Sequence, residues 1–95
     1  IEENLLKYIT NVVVNTRSNA QLYLGASPRA TIAILNASKT FAAIEGRDFV
    51  TPEDIIKAAI PVLQHRVIVT PEREMEGVTS KQIIEQIIES VEIPR

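Results

Sequence analysis

The sequence predicts an all-α fold, a small bundle of four helices, and three observations carry that reading. Apolar residues recur three and four positions apart in four separate segments. Two of those segments open on sharp start signals, Thr51-Pro52-Glu53-Asp54 and Thr79-Ser80-Lys81-Gln82. The 95 residues are 45% hydrophobic but only 4% aromatic, which suits one domain with an aliphatic core and no staples.

The first helix is expected from Ile1 to about Arg17, because Ile1, Leu5, Tyr8, Ile9, Val12 and Val13 fall on one face. The β-branched run Val12-Val13-Val14 would suit a strand, but the helical period on both sides outweighs it. Thr16 to Gln21 is polar and ends the helix. Leu22, Tyr23 and Leu24 then read as an apolar connector that anchors the loop to Gly25.

The second helix is expected from Ser27 to Ile44. Ser27 is a good N-cap, since its hydroxyl can accept from a free amide of the first turn. Pro28 suits the first helical position, where its missing N–H costs nothing. Gly25 permits a bend and a close approach. Apolar residues cover most of this helix's circumference, which predicts a central and largely buried element. Gly46 is placed for a left-handed residue just past its end, and Phe49 and Val50 serve as loop anchors.

Thr51 caps the third helix, which carries Ile55, Ile56, Ala59, Ile60 and Leu63. Pro61 is expected to kink or break it near Ile60, with helix resuming from Val62 to about Arg66. Residues 67–69 fit either another helical turn or an extended piece. Pro71 to Gly77 reads as a flexible acidic link, in which Glu72, Glu74 and Glu76 are solvated rather than grouped around a cation. Thr79 and Gln82 form a capping box for a last helix over Ser80 to Ser90, with Ile83, Ile84, Ile87 and Ile88 at helical spacing.

The composition excludes several chemistries. There is no cysteine, and the single histidine, His65, cannot hold a metal alone. No G-x-x-x-x-G-K-[ST] phosphate loop and no G-x-G-x-x-G occurs. A net charge of −2 argues against a nucleic-acid partner. The apolar runs are too short to span a bilayer and no signal-peptide pattern occurs, so a cytoplasmic protein with no membrane partner is expected. The chain begins with Ile1 and not Met, which suggests a piece of a longer protein.

Charge is unevenly distributed. From Asn4 to Ile44 there is no Asp or Glu, while Lys7, Arg17, Arg29 and Lys39 are present. Arg29 is the odd residue. A helix start already carries unpaired N–H groups and about half a positive charge, so a cation there is disfavoured unless an anion joins it. The alternatives are a phosphate site made by helix start and arginine together, or an ordinary helix whose Arg29 reaches into water. His65 and Arg66 lie near a helix end and suit its dipole; a further role for either stays open.

Four runs in order resemble the C-terminal lid of MoxR-family AAA+ ATPases. They are Leu24-Gly25-Ala26-Ser27-Pro28-Arg29-Ala30; Gly46-Arg47-Asp48-x-Val50-Thr51-Pro52-x-Asp54-Ile55; Val62-Leu63-x-His65-Arg66; and Thr70-Pro71-Glu72 with Glu76-Gly77-Val78-Thr79. The lid of magnesium-chelatase-type ATPases is similar. The resemblance implies that residues 1–95 are a helical lid that follows an α/β nucleotide-binding core in a longer ATPase. It implies that Arg29 is the sensor 2 residue, reaching the γ-phosphate of ATP from the helix start made by Ser27 and Pro28. ATP and Mg2+ would be cofactors of the parent protein, and the Walker A, Walker B, sensor 1 and arginine-finger residues would lie outside this chain. The fragment alone would bind neither cofactor tightly and would not hydrolyse ATP. The family assembles as rings, usually hexamers, acts as a chaperone-like remodeller and is often linked to partners with von Willebrand factor A domains. Two other classes compete: a stand-alone helical interaction module using an exposed apolar groove, and a helical DNA-binding domain, against which the acidic tail counts.

Overall fold

The computed structural model describes residues 3–93. Five helices and two short strands follow in the order α1 (Glu3–Ser18), β1 (Leu22–Leu24), α2 (Arg29–Ile44), α3 (Pro52–Leu63), β2 (Ile68–Val69), α4 (Pro71–Met75) and α5 (Ser80–Ser90). The four longer helices are those expected from periodicity; Ile1, expected to open the first, lies outside the described residues. Val12 and Val13 are buried within α1, so burial on a helical face overrides their strand preference.

One core joins the longer helices. Ile9 and Val12 of α1, Ile34 of α2, Ile55, Ala59 and Leu63 of α3, and Ile83 and Ile84 of α5 are all essentially inaccessible to solvent. α2 packs chiefly on α3 and also on α1, while α5 packs on α3 and α1. Alanines at the α2 and α3 surfaces, Ala30, Ala42, Ala58 and Ala59, are buried, which lets the backbones approach.

Several expectations are corrected. α2 is not buried all round: its buried stripe is Ala30, Ile34, Ser38 and Ala42, while Ile32 and Ile44 are exposed. An i, i+4 stripe is all that one helix needs to bury against neighbours on one side. Pro61 neither breaks nor ends α3. It sits on the exposed face one turn beyond exposed Lys57, so the hydrogen bond it forfeits is on the solvent side while Ala58, Ala59 and Leu63 anchor the other. Residues 68–69 are extended, and the connector at 22–24 is their partner strand: β1 and β2 pair antiparallel, Leu22 opposite Val69 and Leu24 opposite Ile68, with an irregularity between. The Thr70 amide donates to the Gln21 carbonyl and continues the pairing (3.0 Å). The all-α reading therefore omitted a small sheet. Within β1 only Leu22 is buried; Tyr23 and Leu24 face outward.

The acidic link is helical, not flexible coil: α4 spans Pro71–Met75, and Arg73 pairs with Glu76 at 3.0 Å. Its end and that of α2 are built alike. Gly46 has φ 75° and Gly77 has φ 83°. The amide of each glycine, and the amide after it, return to carbonyls of the preceding turn: Gly46 to Ala43, Arg47 to Ala42, Gly77 to Glu74, Val78 to Arg73. This double closure is a Schellman arrangement, which needs a left-handed residue at the glycine.

Candidate functional site

The loop Gly25–Pro28 hands the chain from β1 to α2. Its first half is held against the end of α1. A Cβ at Gly25 would lie 2.5 Å from the Arg17 Cα and 2.6 Å from the Thr16 carbonyl oxygen, so only glycine fits there. The close approach expected at Gly25 is thus to the chain's own backbone. Ala26 is buried beside it, and its amide donates to the Thr16 hydroxyl at 3.0 Å.

The second half of the loop faces solvent. Ser27, Pro28 and Arg29 are all exposed and stand together at the start of α2. The expected Ser27 side-chain cap is absent: Pro28 already has helical backbone angles, and no side-chain hydrogen bond caps this end. Instead the Ala30 amide donates to the Ser27 carbonyl (2.9 Å) and the Thr31 amide to the Pro28 carbonyl (3.1 Å). The first of these tight i to i+3 bonds takes the Ala30 amide that a hydroxyl cap would have served. Pro28 contributes no N–H and the Ala30 and Thr31 amides are engaged, so what this helix start offers an anion is Arg29, through its guanidinium and its own amide. Among the described residues no carboxylate lies within salt-bridge distance of Arg29. The Lys7, Arg17 and Lys39 side chains are exposed as well, with Arg17 adjoining the same loop.

The start of α3 is differently arranged. Asp54 is buried, and Arg47 grips it with both arms, Nη1 to Oδ2 at 2.7 Å and Nη2 to Oδ1 at 2.8 Å. The Thr51 amide donates to Asp54 Oδ2 at 2.9 Å, and the Thr51 hydroxyl accepts from the Asp54 amide, completing the capping box. Hydrogen bonding to Arg47 holds the Asp54 carboxyl well below the usual carboxylate range, and the Thr51 contacts add to this against the cost of burial. Arg47 also donates to the Phe49 carbonyl, pairs with Glu45 and stacks over the Phe49 ring. Sequence reasoning recognised the Thr51 cap but missed this clamp; the signal was present in the order Gly46-Arg47, a basic residue just past a helix end and seven positions before an acid. It is a structural device, not a ligand site, because every Asp54 oxygen already has a partner.

His65 and Arg66 are exposed beyond the end of α3; the His65 ring lies 3.1 Å from the Gln64 side-chain amide, and the Arg66 amide closes on the Leu63 carbonyl. Among the described residues no group of His, Asp or Glu is placed to hold a metal ion, and no helix is long and apolar enough to cross a membrane. An open groove of about 540 Å³ runs between α3 and α5, floored by Ile56, Ile60 and Ile88 and rimmed by Glu85, Glu89 and Glu92; none of Ser27, Pro28 or Arg29 lines it.

The family model described as an AAA lid domain matches residues 14–87. The chain is 34% identical over 93 residues to the uncharacterized protein YeaC of Bacillus subtilis, covering 98% of this chain and 29% of that protein. It is 31% identical to chaperone MoxR1 of Mycobacterium tuberculosis, covering 100% of this chain and 28% of that one. A crystal structure from Cytophaga hutchinsonii, of a protein assigned as an ATPase, superposes with a TM-score of 0.90 at 38% identity, covering 99% of this chain and 31% of the other. The chain therefore spans about three-tenths of the length of these relatives.

Proposed function

The chain belongs to the AAA lid domains, in their MoxR family, and from that premise we propose that it completes an ATP site through Arg29. In this reading Arg29 is the sensor 2 residue, Ser27 and Pro28 shape the turn that presents it, and the nucleotide is held mainly by a core elsewhere in a longer parent chain. The phosphate loop and the Mg2+ site belong to that core, and Mg2+ there offsets phosphate charge. What supports the reading most is Arg29 itself: an exposed guanidinium, with no carboxylate partner among the described residues, on the first residue of α2.

The physical logic is one of differential contact. A cation at a helix start adds charge where the dipole is already positive, so it gains nothing from its own fold. A γ-phosphate reverses that balance and gains a charge-assisted hydrogen bond. The lid then favours the closed arrangement with ATP and loses that preference when the γ-phosphate leaves. Such nucleotide-dependent motion, repeated around a ring of parent chains, would drive chaperone-like remodelling.

The test is Arg29→Ala in the full-length parent. Turnover of ATP should fall by about 10²–10³, the usual loss for one preorganised charged donor. The thermal midpoint should stay unchanged or rise slightly. Full turnover in this variant would return Arg29 to a solvated surface residue.

A further inference from the structure

We propose that Thr16 is a positioning residue for Arg29. The inference rests on the sensor reading above and extends it to a residue on another helix, outside the Leu24–Ala30 run.

Thr16 sits in the last turns of α1 and is 1% exposed. Its hydroxyl works in both directions: it donates to the Val13 carbonyl at 2.6 Å and accepts from the Ala26 amide at 3.0 Å. The first bond keeps the hydroxyl hydrogen inside α1, so the oxygen lone pair is aimed outward at the loop. Ala26 is itself 1% exposed, and no water can replace the Thr16 oxygen there without opening the site. The neighbouring Gly25 is in backbone contact with Thr16 and Arg17. The loop is therefore fastened to α1 at Gly25 and Ala26, and to the core again at Ala30, which is fully buried. Arg29 lies on the short exposed span between these two anchors. On the side before Gly25, the pairing of β1 with β2 removes the remaining freedom.

The consequence is geometric. An arginine that must meet a phosphate held by another domain needs its Cα placed to a fraction of an ångström, and the Ser27 and Pro28 carbonyls shape the turn locally without fixing it to the rest of the fold. The Thr16 hydroxyl supplies that attachment, by holding the loop at Ala26 against the end of α1. Any shift of α1 against α2 is carried through that hydrogen bond to Arg29.

The experiment compares Thr16→Val, Thr16→Ser, Arg29→Ala and the Thr16→Val/Arg29→Ala pair in the full-length parent, with ATP turnover and thermal midpoint measured for each. Thr16→Val keeps the shape and removes the hydroxyl. It should lower kcat by about tenfold to a hundredfold, as misplacement of a catalytic contact does, while the chain stays folded at the assay temperature. Thr16→Ser restores the hydroxyl and should restore turnover. In the Arg29→Ala background, Thr16→Val should change turnover by less than about twofold, since the group it positions is gone. A residue that only stabilised the lid would lower turnover equally in both backgrounds, and that result overturns the proposal, as does wild-type turnover in Thr16→Val. Arg29→Ala with full activity instead removes the sensor reading itself, so the two failures are distinguishable. Should Thr16→Val not fold, hydrogen exchange at the Ala26 amide of the wild-type parent decides: protection matching the α1 core supports the latch, and exchange at unstructured-peptide rates overturns it.

Discussion

The starts of α2 and α3 use the same local vocabulary, a hydroxyl residue followed by proline, and reach opposite ends. At α3 the hydroxyl of Thr51, the carboxylate of Asp54 and the guanidinium of Arg47 satisfy one another. At α2 the Ser27 hydroxyl makes no cap, the first turn carries no acid, and a cation stands exposed. The difference separates two uses of a helix start. One is closed on itself and contributes stability; the other is kept rigid from behind, through Thr16, Gly25 and Ala26, while its outward face remains available to an anion. The proposed site, whose ligand another domain would carry, has to be incomplete in this way.

The contrast can be broken most forcefully at α3. Asp54→Ala removes a buried charge partner and half of the capping box, and should cost about 3 kcal/mol in denaturant unfolding. A loss below about 1 kcal/mol would mean the clamp contributes little, and the two helix starts would not differ energetically. Arg47→Ala should also destabilise, and it is therefore a poor control for mere loss of positive charge when Arg29 is tested.

A pH titration sharpens the same point. The Asp54 carboxyl is held below its ordinary value by Arg47, so its contribution is fully present above about pH 4 and is lost as pH falls through the folded value. Glu45, lowered by Arg47 and Lys57, adds in the same direction. Unfolding free energy should therefore drop more steeply below about pH 4 in the wild type than in Asp54→Asn. Parallel acid limbs would show that Asp54 is not the group responsible.

The smallest effects concern the caps. Thr79→Ala should destabilise α5 by about 1 kcal/mol, because Thr79 accepts from the Gln82 amide in a formed capping box. Ser27→Ala, at a helix start where no such bond exists, should stay within about 0.5 kcal/mol of wild type. Equal losses in paired chemical melts would place a cap at Ser27 after all.

Short-range physics was readable along the chain. Thr51, Thr79, Gly46 and the helical spacing of the last helix's isoleucines act on residues within four positions, so α3 and α5 start, and α2 ends, where the pattern predicts. Arg29 was legible as an anomaly for the same reason: its conflict with the helix dipole is local. The Ser27 cap failed because a hydroxyl and a backbone carbonyl compete for the same first-turn amides, and sequence does not say which wins.

By itself, then, the sequence determined the four longer helices, the positions of their strongest ends and a cation at a helix start whose dipole disfavours it. The tertiary structure alone decided that residues 68–69 become a strand, because their partner is β1, far back in the chain. It decided that α3 runs through Pro61, because buried contacts on the opposite face outweigh one lost hydrogen bond. It also joined Arg47 to Asp54 and Thr16 to Ala26. Each of these depends on a partner brought near by packing, and a pattern confined to neighbouring residues contains no record of which partner the fold will supply.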